Sequence, residues 1–200
     1  MYKFANFHNS PLCFEIGQWK KTDIDIIELG AGDGMFCVQL AQRFPEKQFL
    51  AVDVKADRMQ KGARVAEEKG LTNIRFVRAR ADQLEDVVNP GRLEQLWLTF
   101  PDPYPRVRSA KHRLTHETYL FTYTKLLKSS GALYLKHDSC DFFLWSLEQL
   151  VACHWTIAEL SFDLHESDLS DIYKMKTTYE IRWLDEGNVT NLVKAMWVNN

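Results

Sequence analysis

Short apolar runs alternate with segments of helical spacing along most of the chain. The runs have the length and apolar content of buried strands, and the segments between them repeat apolar positions every three or four residues. The predicted strands are Ile24–Leu29, Gln48–Val52, Asn73–Val77, Leu93–Phe100, Ala132–Lys136, Thr156–Leu164, Thr177–Trp183 and Val189–Trp197. The predicted helices are Asp33–Phe44, Ala56–Lys69, Asp82–Val88, Glu117–Leu127 and Asp141–Cys153.

This alternation predicts the α/β class, with a mostly parallel sheet and helices on both faces. The last two predicted strands follow one another with no helix between them, which predicts an antiparallel hairpin at one edge of the sheet. We expect one domain over residues 1–200, with an irregular N-terminal segment at residues 1–22. Ligands of such sheets bind outside the carboxyl ends of the strands.

A glycine-rich turn follows the first predicted strand, in the sequence Glu28–Leu29–Gly30–Ala31–Gly32–Asp33–Gly34. Its GxGxG spacing differs from the GxGxxG of dinucleotide sites, and Asp33 near the helix start would repel a pyrophosphate. Glu28 would instead suit a cationic ligand. We therefore expect S-adenosylmethionine, which carries an amino group and a sulfonium but no phosphate. A strand–helix turn without a ligand remains the alternative.

Asp53 ends the next strand, about twenty residues beyond the glycines. Nucleotide-binding folds place an acid there to accept hydrogen bonds from the ribose hydroxyls. Alone this signal is weak, because aspartate often ends strands, but together with the glycine turn it supports a nucleoside-bearing cofactor.

A stiff loop follows the strand Leu93–Phe100. Pro101, Pro103 and Pro105 restrict the backbone and hold Asp102 and Tyr104 just past the strand end. The following residues are rich in cations, which suit the phosphates of a polyanion. These are Arg106, Arg108, Lys111 and Arg113. A rigid turn followed by a solvated basic run is the alternative interpretation.

Two further motifs fall near the same edge of the predicted sheet. Lys136–His137–Asp138 ends a strand and would bring Asp138 to the rim. In the segment Lys176–Glu180, strand alternation predicts Thr178 and Glu180 on one face and Thr177 and Tyr179 on the other. An acid and a hydroxyl there could pair with the N1–H and N2 amine of guanine, although ordinary strand-end residues are the alternative.

Composition and charge add little to the prediction of ligand and partner. The formal net charge of −2 does not by itself indicate a nucleic-acid-binding protein, but residues 55–80 carry eight Lys and Arg side chains. The four cysteines lack CxxC spacing, which predicts reduced thiols of a cytoplasmic protein without a metal site. No signal peptide or membrane span is expected. Edge strands and exposed aromatic residues permit either a monomer or a homodimer.

These motifs together resemble a known family. LTFPDPYPRVRSAKHRLT, with GAGDG before it and TTYE after it, is similar to the bacterial tRNA (guanine-N7-)-methyltransferases, and the resemblance runs from about Glu28 to Trp183. It implies a Rossmann-like class I methyltransferase with a seven-stranded sheet. It also implies methyl transfer from S-adenosylmethionine to N7 of the variable-loop guanine (position 46) of tRNA.

The resemblance also assigns roles to individual positions. Asp102 would act at the catalytic centre and also contact the cofactor. The remaining cofactor-binding positions are Glu28, Gly30, Gly32, Gly34, Asp53, Val54, Arg80 and Ala81. The implied substrate-binding positions are Arg106, Asp138, Thr177, Thr178, Tyr179 and Glu180, and the expected phosphate contacts are Arg108, Lys111 and Arg113.

Three departures from the family pattern leave alternatives open. Family members usually carry an acid where this chain has Arg80, near the expected adenine position. Arg106 replaces a lysine and Tyr104 a tryptophan. A class I methyltransferase acting on another substrate and a non-catalytic RNA-binding relative both stay possible, whereas Asp33 disfavours a nicotinamide oxidoreductase.

Overall fold

The computed structural model describes residues 2–197, which form eight strands and seven α-helices. The strands are β1 (Cys13–Glu15), β2 (Ile26–Leu29), β3 (Phe49–Asp53), β4 (Ile74–Arg78), β5 (Leu93–Thr99), β6 (Leu127–His137), β7 (Trp155–Ser161) and β8 (Asn191–Trp197). The helices are α1 (Tyr2–Asn9), α2 (Met35–Arg43), α3 (Ala56–Glu68), α4 (Leu84–Val87), α5 (Glu117–Leu126), α6 (Cys140–Ala152) and α7 (Thr178–Asp185). Two 3₁₀ helices span Ala81–Gln83 and Val107–His112.

All eight strands join one sheet in the order β1-β4-β3-β2-β5-β6-β8-β7. The strands from β1 to β6 pair in parallel, and β8 pairs antiparallel with both β6 and β7. The predicted α/β class and antiparallel edge are therefore confirmed. After β4 the chain returns to the other side of β2 to form β5, so the strand order reverses between β2 and β5. Ligands of open α/β sheets bind at the carboxyl ends of strands at such a reversal.

Apolar side chains from both faces of the sheet form two cores. On one face β2, β4 and β5 pack against α4, α5 and α6. On the other face the sheet packs against α1, α2 and α3, together with apolar residues of the segment before α7. This double coverage explains why the central strands read as continuous apolar runs rather than as an alternation of apolar and polar residues.

The prediction of a strand over Thr177–Trp183 is wrong, because α7 occupies this region. The Thr177 hydroxyl caps the helix by accepting from the Glu180 N–H, and the Glu180 carboxylate accepts from the Thr177 N–H. Threonine followed three residues later by glutamate is the sequence pattern of a helix capping box. The antiparallel edge therefore comes from β7 and β8 with α7 between them, and not from consecutive strands.

The N-terminal segment is more regular than the expected irregular stretch at residues 1–22. It contains α1 and the three-residue strand β1, which pairs with β4 through Cys13 and Phe76 and adds an eighth strand to the expected seven. A strand of three residues is too short to show periodicity in sequence, which explains its omission.

Among residues 2–197, no helix combines the length and hydropathy that a bilayer crossing requires. All four cysteines are free thiols, and Cys13 and Cys37 are buried.

Candidate functional site

The glycine-rich turn joins β2 to α2 at the edge where the strand order reverses. Gly32 and Gly34 adopt positive φ angles of 58° and 71°, which side chains with a Cβ atom disfavour. A Cβ at Gly34 would lie 2.7 Å from the Phe76 ring, whereas one at Gly32 would meet no atom within 4 Å. The turn is thus packed on its inner side and open beside Gly32.

Asp53 holds this turn from the end of β3. Its carboxylate accepts hydrogen bonds from the backbone N–H of Gly32 and of Lys55, each at 2.8 Å. The sequence predicts Asp53 near the glycine turn, and the structure brings the two together. One carboxylate therefore fixes the relative position of two strand ends in the candidate cofactor region.

Glu28 lies beneath the turn and is only 1% exposed. Its oxygens accept hydrogen bonds from the Thr99 hydroxyl at 2.6 Å and from the Cys37 N–H at 3.0 Å. Burial raises the pKa of Glu28 to about 8, against the lowering effect of these hydrogen bonds. The carboxyl is therefore largely protonated near pH 7 in the absence of a ligand, and a nearby cation would favour its ionised form.

The proline-rich loop leaves β5 in an unusual backbone conformation. Phe100 and Tyr104 have φ angles of 51° and 41°, a region that non-glycine residues rarely adopt. His137 stabilises the loop, because its Nε2–H donates to the Pro101 carbonyl at 3.0 Å while its Nδ1 accepts from the Ser139 N–H at 2.9 Å. Burial lowers the pKa of His137, which favours this neutral tautomer.

Asp102 protrudes from this anchored loop as an exposed side chain. Among the side chains described, those of residues 6–197, it has no hydrogen-bond or ion-pair partner. Its carboxylate is thus available to a ligand at the carboxyl end of β5, where the sequence predicts it.

The basic run divides into two kinds of cation. Arg106, Arg108 and Lys111 are exposed on or beside the 3₁₀ helix and have no ion pair with the described residues. Arg113 instead donates to the Tyr104 carbonyl at 3.1 Å and packs its guanidinium 4.3 Å from the Trp145 ring centroid. Arg113 therefore supports the loop from within, and its expected phosphate contact stays a prediction.

Asp138 lies at the end of β6 and meets the first turn of α7. The Tyr179 hydroxyl donates to its carboxylate at 3.2 Å. Burial and the charge of Asp138 raise the pKa of Tyr179 to about 12, so the hydroxyl stays protonated. The Tyr179 ring is 46% exposed, lies 5.1 Å from the Phe100 ring and stacks on Trp183 at 5.6 Å. The result is an aromatic surface with a carboxylate at its side.

Glu180 does not reach this surface, which corrects the expected pairing with guanine. It is 0% exposed, and Lys136 Nζ donates to its Oε2 at 2.6 Å. The remaining donors to its carboxylate are His165 Nε2, Thr190 Oγ1 and the Thr177 N–H. Four donors occupy the two oxygens, so no acceptor remains for a base. The Thr177 hydroxyl likewise accepts a hydrogen bond within the protein, from the Glu180 N–H at the start of α7.

The comparisons with known proteins decide the family. The family model described as "Putative methyltransferase" matches residues 22–192. A tRNA (guanine-N(7)-)-methyltransferase of Bacteroides thetaiotaomicron is 37% identical over 192 residues, which cover 93% of this chain and 75% of the relative. The chain belongs to this methyltransferase family. A Brevibacillus brevis protein of the same name is 33% identical over 98% of this chain and 92% of its own length.

Solved structures place the methyltransferase fold independently of sequence. The 16S rRNA methyltransferase KamB superposes with a TM-score of 0.65 at 15% identity, over 92% of this chain and 90% of that one. A precorrin-6y C5,15-methyltransferase from Geobacter metallireducens gives a TM-score of 0.59 at 13% identity, over 99% and 86%. At these identities the likeness concerns the fold alone.

Arg80 precedes Ala81, at the position where the sequence resemblance leads us to expect an acid. Its guanidinium binds the Asp82 carboxylate through two hydrogen bonds of 2.9 and 2.7 Å. These bonds hold the pKa of Asp82 below its usual value. Asp82, two residues after Arg80, is thus ionised, and Arg80 fixes the orientation of its carboxylate. Val54, after β3, is half exposed at the same edge of the sheet.

The positive charge of the basic residues at 55–80 is partly neutralised by ion pairs. Four of the eight cations pair with nearby acids, in the pairs Lys61–Asp33, Arg64–Glu68, Arg78–Glu15 and Arg80–Asp82. The unpaired cations beside the proline-rich loop are consequently the stronger candidates for phosphate contacts. Over residues 2–197, no cluster of His, Cys, Asp and Glu suits a metal ion.

Proposed function

We propose that this methyltransferase transfers a methyl group from S-adenosylmethionine to N7 of the variable-loop guanine (position 46) of tRNA. The observation that carries the proposal is the meeting of three features at one edge of the sheet. An open glycine turn and an unpartnered Asp102 follow β2 and β5, between which the strand order reverses, and the Asp138–Tyr179 surface follows the neighbouring strand β6. The names of the relatives supply the substrate, and exposed cations beside Asp102 suit RNA phosphates.

The residues present fit S-adenosylmethionine. Space is open beside Gly32, and Asp53 is fixed at the end of β3, where ribose hydroxyls are bound in related folds. The buried carboxyl of Glu28 would gain from a cationic ligand nearby. Bound there, S-adenosylmethionine supplies an electrophilic methyl group. Gly30 and Gly34 shape the turn, while Val54, Ala81 and the Arg80–Asp82 pair would flank the adenosine.

The acceptor atom explains which catalytic groups the site requires. N7 of guanine has a free lone pair and no proton to lose, so the site needs no general base. Catalysis would then come mainly from alignment of the reactants. Asp102 would fix the reacting groups at the end of β5, and Asp138 would accept hydrogen bonds from the N1–H and N2 amine of guanine.

The aromatic surface suits a base that has left the RNA stack. Tyr179, supported by Trp183, offers an exposed ring face, and stacking on such a face contributes about 1–3 kcal/mol per base. Thr178 lies beside it on the first turn of α7. Adenine carries no N1–H, so it would be disfavoured because Asp138 would lose the hydrogen bonds that guanine donates.

Phosphates of the tRNA would contact Arg106, Arg108 and Lys111. These cations follow Asp102 directly, so a strand of RNA bound to them would pass the rim of the site. Each phosphate contact releases counterions and makes affinity depend on salt.

Methyl transfer from a labelled donor to tRNA transcripts tests the proposal. We expect transfer to a transcript with a guanine at position 46 and none to the matched transcript with adenine there. Equal transfer to both would overturn the proposed position. Binding of S-adenosylmethionine without any transfer to RNA would favour another substrate, and RNA binding without cofactor binding would favour a non-catalytic relative.

A further inference from the structure

Lys136 is an unusual residue for a central strand of the sheet. It lies on β6, is 0% exposed and donates both to Glu180 Oε2 at 2.6 Å and to the Met175 carbonyl at 2.9 Å. Its ammonium also lies 5.5 Å from the centre of the Phe36 ring on α2. A buried cation is destabilising unless it is paired, so the folded protein must keep both partners within hydrogen-bond distance of the ammonium.

Both partners of Lys136 belong to the start of α7. Met175 lies just before the helix, and Glu180 is in its first turn, where it also completes the capping box with Thr177. Loss of the ammonium would leave the buried Glu180 carboxylate with no Lys or Arg partner among the described residues, and with only His165, Thr190 and the Thr177 N–H as donors. The position of the first helical turn is thus tied to the end of β6.

The start of α7 also contacts α2 and α3, the two helices beside the glycine-rich turn. Gln39 Nε2 on α2 donates to the Lys176 carbonyl at 2.9 Å. Lys61 on α3 joins Asp33 of the glycine turn, at 2.8 Å, to the Thr178 hydroxyl at 3.4 Å. Donors from three separate elements therefore converge on residues 175–180.

We propose that Lys136 is a positioning residue, which seats the first turn of α7 so that Tyr179 and Asp138 present a fixed surface to the guanine. The inference rests on the proposed function for the identity of the base. Lys136 acts through Glu180 and touches neither substrate nor cofactor. Glu180 accordingly lies beneath the substrate site and holds the first turn of α7 in place without contacting the base.

The double variant Lys136→Met with Glu180→Gln separates positioning from general stability. Lys136→Met alone leaves a buried charge and is expected to lower Tm by about 10 °C, whereas removing both charges is expected to restore most of that loss. We expect kcat/KM for tRNA to stay at least tenfold below wild type in the double variant, with Kd for S-adenosylmethionine changed less than about threefold. Recovery of kcat/KM together with Tm would show a merely structural pair and overturn the proposal.

A second Lys–Glu ion pair, whose side chains are 23% and 29% exposed, lies at the β7 edge of the sheet and serves as a control. Lys194 and Glu159 form a 2.6 Å ion pair between β8 and β7. The double variant Lys194→Met with Glu159→Gln should leave kcat/KM for tRNA within about twofold of wild type. A tenfold loss there would mean that activity follows any lost ion pair, and the special role of Lys136 would be refuted.

Hydrogen exchange tests whether Lys136 positions the first turn of α7, even if the enzyme proves to act on another substrate. In Lys136→Met, under conditions where the protein remains folded, the amides of Glu180 and Ile181 should exchange at least tenfold faster, while that of Gly32 should be unchanged. Wild-type protection of the two α7 amides would overturn the proposal. A wild-type protein that methylates no tRNA would instead refute the proposed function alone.

Discussion

The buried carboxyl of Glu28 makes the stability of the ligand-free protein depend on pH. Its pKa rises from an ordinary 4.5 to about 8, chiefly because burial disfavours the charged form. Above about pH 4.5 the unfolded chain releases a proton that the folded protein keeps. The stabilising contribution of the protonated form is therefore full below pH 4.5, falls as the pH rises, and is lost above about pH 8.

The size of this effect follows from the change in pKa. Since one pH unit corresponds to about 1.4 kcal/mol, the loss across the interval is on the order of 5 kcal/mol. Glu28→Gln preserves the neutral hydrogen-bond pattern, because the amide oxygen can accept from the Cys37 N–H and the amide nitrogen can donate to the Thr99 hydroxyl. The variant should thus gain stability over wild type as the pH rises.

Urea unfolding of both proteins between about pH 5 and pH 9 measures the difference directly, because contributions of other titrating groups cancel. The variant-minus-wild-type free energy of unfolding should rise by several kcal/mol over this range. Thr99→Ser, which keeps the hydroxyl, should behave as wild type. Thr99→Val removes a bond that favours the charged carboxylate and should extend the loss to higher pH. A difference that stays flat within about 1 kcal/mol would refute the buried, neutral state of Glu28.

Three other changes test separate parts of the structure. Asp102→Ala should abolish methyl transfer and change unfolding free energy by less than about 0.5 kcal/mol, because its side chain is exposed; full activity would exclude its role. Arg106→Ala with Arg108→Ala should lower the log–log salt dependence of tRNA binding by about one for each lost phosphate contact, and an unchanged slope would place them off the RNA path. Gly62→Ala should destabilise the protein by about 1–3 kcal/mol, since the added Cβ would clash with the Asp33 carbonyl oxygen; unfolding that matches wild type would contradict this close packing.

Periodicity predicts most of the fold because the central strands and their helices are long and strongly apolar. It fails at Thr177–Trp183, where β-branched and aromatic residues resemble a strand. The Thr177–Glu180 capping box was the sequence signal for the helix that forms there. Hydrogen bonding at the helix start therefore outweighs residue propensity over this segment.

The candidate site is predictable where it depends on strand ends and unpredictable where it depends on side-chain partners. Asp53 and Asp102 lie at the strand ends that the sequence indicates. The burial of Glu180 depends on Lys136 and His165, which approach from distant parts of the chain. Arg113 likewise has charge suited to phosphate, but its contacts with Tyr104 and Trp145 arise only in the folded protein.

Mapping of N7-methylguanosine in tRNA incubated with the purified protein and S-adenosylmethionine tests the central claim most directly. Chain cleavage specific for the modified base, combined with mass spectrometry of the fragments, locates each new methyl group. The account predicts N7-methylguanosine at position 46 with wild-type protein and none with Asp102→Ala. Methylation at another atom or position, or undiminished modification by the variant, would contradict it.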